Sequence, residues 1–269
     1  AKYDTSGAFV WAKRIGGSGH DETYGVVVDE LDNIYVAGQM SASVNFGTQE
    51  EPMTLVHEGG SWDAFCASYR PDGELAWVRG IQGTGGQRAQ SIAYAHGHVY
   101  SYGVCSGETH ANNVASVSAG NNNQAFLCKL DTTGQVKWLK AHGGDGSEIG
   151  EAIRADEAHL YITGSFTDPT DADPGDGVLE LTSFGVGGNL YFAKLDTAGN
   201  ALWAHGLQNN NHFDGVCDIA CDGTGNVFIT GAHSVEQDFD PGPEETILPM
   251  TIANDLYLAM YQADGSFAW

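Results

Sequence analysis

Hydrophobic residues along this chain come in short runs rich in Val, Ile, Tyr and Phe. Several alternate with period two, as in "NIYVAG" (33–38), "HLYITG" (159–164) and "NVFITG" (226–231), the pattern of half-buried strands. Between the runs stand Asp, Asn and Gly, which tolerate or favour positive φ and so mark tight turns. No stretch carries the 3.6-residue period of an amphipathic helix, and no apolar run is long enough to cross a bilayer as a helix. The pattern predicts an all-β chain of short antiparallel strands.

The pattern also repeats. "YDTSGAFVW" (3–11), "YRPDGELAW" (69–77), "LDTTGQVKW" (130–138), "LDTAGNALW" (195–203) and "YQADGSFAW" (261–269) are five versions of one hairpin. Their tryptophans, Trp11, Trp77, Trp138, Trp203 and Trp269, recur every 61–66 residues. The repeat units are 12–77, 78–138, 139–203 and 204–269, and residues 1–11 correspond to the end of a preceding unit. After each Trp comes a Gly-rich link, divergent in the last unit ("LQNNNHFD", 207–214), then a strand, a tight turn and a second strand stopping at Gly38, Gly103, Gly164 or Gly231. A long variable stretch leads to a third strand, such as "DAFCASY" (63–69) or "DLYLAMY" (255–261), which feeds the hairpin and a fourth strand carrying Trp.

Four antiparallel strands per unit, repeated without helices, predict a β-propeller with one unit per blade. The repeated Trp is expected to pack between blades. Four units could close alone or form part of a seven- or eight-bladed ring. The hairpin copies at both ends suggest a chain cut, or latched, in the middle of a blade, and hence a segment of a larger polypeptide.

The succession "WAKRIGG" (11–17), "DGTGNVFITG" (222–231), "DFDPG" (238–242) and "DAF" with Gly73 and Trp77 resembles the SBBP-type β-propeller repeats of large secreted bacterial proteins, notably of Bacteroidota. The resemblance runs through all four units and is weakest in the second, where "ETHANNVASVSAG" (108–120) replaces an acidic loop. It implies an extracellular or cell-surface scaffold or binding module, with no particular enzyme activity. The hairpin also resembles the Trp-docking hairpin of quinoprotein propellers, but the long variable stretches and the lack of a vicinal cysteine pair speak against that family.

Charge sharpens the picture of partners. Asp and Glu number 35 against 11 Lys and Arg, a formal net of −24. Such a surface repels nucleic acid and anionic membranes and suits an extracellular setting and divalent cations. The five cysteines are not spaced as zinc ligands. Cys217 and Cys221 are too far apart along one strand for a disulfide. Cys105 and Cys128 fall on neighbouring strands, so either a bridge or two buried thiols is expected there.

Chemistry concentrates in the variable stretches. Asp168, Asp171, Asp173 and Asp176 crowd "TDPTDADPGDG" (167–177), and Asp238 and Asp240 recur in "QDFDPGPEE" (237–245). Alternate carboxylates followed by Gly can supply oxygen ligands to Ca²⁺, or can cap backbone amides in an acidic turn. Trp62 is the sole Trp outside the repeat position. It either stacks on a sugar ring or partner, or covers a local apolar patch. No HExxH, GxSxG, Walker or dinucleotide fingerprint is present. The expected role is therefore non-enzymatic binding of protein or glycan partners, with a carbohydrate-active enzyme using loop carboxylates as the alternative.

Overall fold

The computed structural model describes residues 1–183, 188–207, 216–233, 236–249 and 255–269, with side chains for all of these except Val216 and Cys217. Strands account for its regular structure, and no helix occurs among the described residues. Most of the divergent link of the last unit lies outside them.

Four meandering antiparallel sheets follow one another along the chain. The first holds Asp21–Val28, Ile34–Met40, Asp63–Tyr69 and Leu75–Gly83; the second Gln87–Ala95, His98–Cys105, Gln124–Asp131 and Val136–His142. The third holds Glu148–Ala155, His159–Phe166, Asn189–Asp196 and Ala201–Leu207. The fourth has Val216–Cys221, Val227–His233 and Asp255–Tyr261, with a single bridge from Tyr261 to Phe267 beginning a further strand. Each variable stretch folds into a small hairpin of its own. That of the second unit, Glu108–Ala111 with Ala115–Ser118, joins the outer strand of the first sheet, which thereby becomes six-stranded.

The second strand of each sheet does not stop at its glycine; it runs two residues further. The glycine is there for its neighbour. Every inner strand carries a bulge, between Thr23 and Gly25, Ala89 and Ser91, Gly150 and Ala152, and Val216 and Asp218. The bulge pushes the inner strand against the strand beside it. A Cβ on Gly38, Gly103 or Gly164 would lie 2.0, 1.9 or 2.1 Å from a backbone carbonyl oxygen of that inner strand.

Consecutive sheets pack face to face, inner strand against inner strand. Tyr35, Cys66 and Trp77 of the first sheet meet Ile92, Phe126 and Cys128 of the second. Tyr100 and Leu127 meet Ile153, and Tyr161 and Phe192 meet Ile219 and Tyr261. Among the described residues no comparable packing joins the first sheet to the fourth, and no sheet closes on itself.

The repeated Trp ties each hairpin to the next. Trp11 donates from Nε1 to Pro71 O at 3.2 Å, Trp77 to Thr132 O at 2.9 Å and Trp203 to Ala263 O at 3.2 Å. Each ring, and that of Trp138, lies against the turn glycine of the following hairpin: Gly73, Gly134, Gly199 or Gly265. These glycines have φ between +79° and +88°, so both the backbone and the indole above it exclude a side chain.

The register removes the Cys105–Cys128 bridge. Cys105 stands opposite Gln124 and Cys128 opposite Ser101, four residues apart along the strands, roughly 13 Å at the usual rise. Cys66, Cys105 and Cys128 are buried free thiols. Burial pushes Cys66 up to about 11 and Cys105 up to about 12, so these thiols stay protonated and inert.

Candidate functional site

A cleft of about 440 Å³ opens between the first and second sheets, where the inner strands begin and the second strands end. The first sheet contributes Glu22 and Tyr24 from its inner strand and Gln39 from its second strand, with Trp62 just ahead of its third. The second sheet contributes Gln87 and Arg88, the first residues of its inner strand. The two walls are stitched by Gln87 N donating to Trp62 O at 2.8 Å.

Trp62 is half-buried. The His20 ring sits edge-on to it, with centroids 5.7 Å apart and planes at 74°. Glu22 accepts from Gln39 Nε2 at 2.7 Å and from the Tyr24 hydroxyl, and faces His20 Nε2 at 3.0 Å. The Tyr24 hydroxyl and then His20 hold the Glu22 carboxyl below the usual carboxylate range, so it is ionised at neutral pH.

The opposite wall is less satisfied. Gln87 uses its Nε2 on Thr109 Oγ1 and Ser106 O, both at 3.1 Å. Among the described residues its buried Oε1 has no hydrogen-bond partner, and neither does the buried Nε of Arg88. A buried acceptor and a buried donor that lack partners cost free energy until something supplies them. Both residues line the cleft that holds Trp62, with these two atoms beneath its surface.

Of the sequence-derived candidates, the structure places Trp62 in this cleft and the aspartates elsewhere. Asp171 Oδ1 accepts from Asp173 N at 3.0 Å and Leu179 N at 2.8 Å, and Asp173 Oδ1 from Gly175 N and Ala201 N, both at 2.8 Å. The fourth unit repeats this: Asp238 Oδ1 takes Asp240 N and Thr246 N, and Asp240 Oδ1 takes Gly242 N. In the first unit Asn45 Oδ1 does the same for Gly47 N and Met53 N at 3.0 Å. A neutral amide thus fills the role of Asp171, which is the behaviour of a cap. Asp168 and Asp176 are exposed. Among the described residues no three His, Cys, Asp or Glu side chains converge in a metal-binding group. Asp173→Ala is expected to cost about 1–2 kcal/mol in metal-free buffer, because two amides lose their acceptor; urea unfolding measures it.

A buried polar cluster lies between the second and third sheets. The Tyr102 hydroxyl meets the Tyr191 hydroxyl and, at 3.1 Å, His142 Nε2. Burial brings His142 down to about 4, so the folded protein holds a neutral imidazole while the unfolded chain takes up a proton below about 6.5. The contribution of His142 to stability is therefore present above pH 6.5 and lost as pH falls towards 4. Burial raises the carboxyl of fully buried Glu148; its contribution has the opposite sign, present at low pH and lost as pH rises through the folded value. Comparison of the wild type with His142→Gln cancels the Glu148 part. Their stability difference is expected to change by up to about 3 kcal/mol between pH 7 and pH 4, by urea titration at each pH.

Glu22, Gln39, Gln87 and Arg88 were not singled out by the sequence. The available signal was a polar residue opening each of the first three inner strands, at Asp21, Gln87 and Glu148.

Comparison with known proteins adds one assignment. Residues 10–39 match the family model of the SBBP β-propeller repeat, a stretch that spans Trp11, the Gly-rich link and most of the first two strands of the first sheet. No curated protein matches the chain. Among solved structures it is similar to a protein of unknown function from Bacteroides caccae, with a TM-score of 0.39 and 10% identity over 98% of this chain and 85% of that one.

Proposed function

We propose that this chain, which carries an SBBP β-propeller repeat, is a four-bladed propeller segment that serves as a non-enzymatic binding module of a larger secreted or cell-surface assembly. Each of the four meandering sheets is one blade, and the inner strands line the propeller axis. The ligand site is the cleft around Trp62, and its ligand is a hydroxyl-rich molecule, a surface glycan.

The observation that carries this reading is the half-buried indole of Trp62 in a polar cleft whose wall includes Gln87 and Arg88, with unpartnered Gln87 Oε1 and Arg88 Nε just beneath it. A sugar presents an apolar face to an aromatic ring and offers hydroxyls that both donate and accept. A small turn of the Gln87 or Arg88 side chain would bring an acceptor or a donor to such a hydroxyl. Glu22, already ionised, adds a further acceptor. A glycosidase using two carboxylates needs a second acid across the cleft, and Glu22 is the one carboxylate among the described lining residues.

The net charge of −24 supports neutral or cationic partners. A glycan array run beside a panel of glycosidase and lyase substrates tests the proposal. Binding without turnover is the expected result; turnover removed by Glu22→Gln would replace it with the enzymatic reading. Calorimetric titration with Ca²⁺ belongs to the same series. Binding heat with a raised Tm would add an ion to the Asp171 and Asp238 loops.

A further inference from the structure

Gln87 and Glu148 hold the same place in successive units. Each opens an inner strand, and they stand 61 residues apart, as Trp77 and Trp138 do. Each donates its backbone N–H to the preceding sheet, Gln87 to Trp62 O at 2.8 Å and Glu148 to Asn123 O at 3.0 Å. Both side chains are buried, at 1% and 0% exposure. They differ in chemistry: one ends in an amide, the other in a carboxyl.

The amide is used. Gln87 Nε2 donates to Ser106 O and to Thr109 Oγ1, both at 3.1 Å. Thr170 stands where Thr109 does in the preceding unit and lies beside the Glu148 carboxyl. Among the described residues, however, neither Glu148 oxygen makes a hydrogen bond of ordinary geometry, and neither does the buried Thr170 Oγ1. The carboxyl is tightly enclosed. Gly143 has φ +154°, and a Cβ there would strike it. Gly144 bridges Thr170, and Ser147 N donates to Thr167 Oγ1 at 2.9 Å, which ties the link 143–147 to the loop 167–170 over the carboxyl.

We infer that Glu148 is a proton-held latch: with its proton it keeps the link 143–147 and the loop 167–170 closed over itself, and on losing the proton it releases them. A protonated carboxyl offers a donor and an acceptor, as the Gln87 amide does, and either can pair with Thr170 Oγ1. A carboxylate offers acceptors only, and burying it unpaired is costly.

The surroundings add to that cost. Burial first, then Asp168 on the loop and Asp145 on the link, raise the Glu148 carboxyl, against a smaller pull from Gly144 N–H and Thr170. Tyr191 faces it from the third strand of the same sheet, with Tyr102 and His142 of the second sheet beyond. Burial keeps both tyrosines protonated and holds His142, down to about 4, neutral above pH 5, so these three supply no counter-charge. Glu151 on the same strand is raised by burial as well, and Arg88 faces it. Once released into water, the Glu148 carboxyl ionises near its ordinary 4.5. Opening therefore gives up one proton, and it becomes easier as pH rises from there to the value in the closed form. The inference rests on the seam between the second and third sheets and does not depend on the ligand.

Hydrogen exchange of the full chain between pH 5 and pH 8, read on peptides covering 143–148 and 167–171, tests it. The ratio of wild-type to Glu148→Gln exchange cancels the intrinsic pH dependence of exchange and the titration of His142. It is expected to grow by up to about tenfold per pH unit until the carboxyl ionises in place. Peptides across the seam of Gln87 with Trp62 are the control, with a constant ratio expected. Gln87→Glu is expected to carry the dependence to that seam. A flat ratio over 143–148 would overturn the inference. So would growth that millimolar Ca²⁺ abolishes, since the occupant would then be a cation. Should Glu148→Gln fail to fold, a flat ratio of Gln87→Glu to wild type at the Gln87 seam would overturn it instead.

Discussion

Gly103→Ala is expected to leave the protein largely unfolded or to lower its stability by more than about 3 kcal/mol, although only one methyl group is added. The new Cβ would lie 1.9 Å from Arg88 O, 2.9 Å from Arg88 C and 3.0 Å from Ala89 Cα. All three are backbone atoms, so no rotamer change relieves the contact. The inner strand would have to move, taking with it the bulge and the seam where Gln87 N bonds Trp62 O. Gly97→Ala, in the turn before the same strand, is the control. It has φ +70° with nothing within 4 Å of an added Cβ, so only backbone strain of about 1 kcal/mol applies. Urea denaturation of the two variants side by side gives the comparison.

Trp77→Ala is expected to lose about 3–5 kcal/mol, the range for removing a large buried aromatic. Its ring lies against Gly134 and is flanked by Tyr35 at 6.0 Å and by the Arg79 guanidinium at 5.8 Å. Its Nε1 bond to Thr132 O crosses from the first sheet's hairpin to the second's, so the change cuts an interface as well as a core. Stability in a repeat array is carried by such neighbour contacts. Trp269→Ala, in the equivalent position but exposed, is expected to cost about 0.5 kcal/mol or less in the monomer. Equal losses from the two substitutions would show that the indole matters for its own hairpin and not for the contact between sheets.

Much of this was legible in the sequence because the repeat reports it four times over. The alternating runs gave the strands, and the Asp-x-x-Gly hairpins gave turns in which, for example, Asp131 Oδ1 accepts from Thr133 N and Gln135 N. The Trp spacing marked the contacts between hairpins. What stayed hidden depended on register and on neighbours. Gly38, Gly103 and Gly164 read as strand ends, because a bulge in the adjacent strand leaves no local signature. Cys105 and Cys128 looked bridgeable until their partners, Gln124 and Ser101, were fixed.

The aspartate loops were ambiguous for a chemical reason. The same alternation of carboxylates suits a cation or a pair of amides, and Asp171 and Asn45 each accept from two backbone amides. The cleft was half visible. Trp62 stood out as a Trp off the repeat, but Gln87 and Arg88 belong to the next unit and meet it only because the two sheets pack.

Titration of the tightest ligand from the glycan array against the wild type and Trp62→Ala tests the central claim, that the chain binds through the Trp62 cleft and does not turn its ligand over. The account predicts saturable one-to-one binding by the wild type, at least about tenfold weaker in Trp62→Ala, with the ligand recovered intact from both. Unchanged affinity in Trp62→Ala, or cleaved ligand from the wild type, would contradict it.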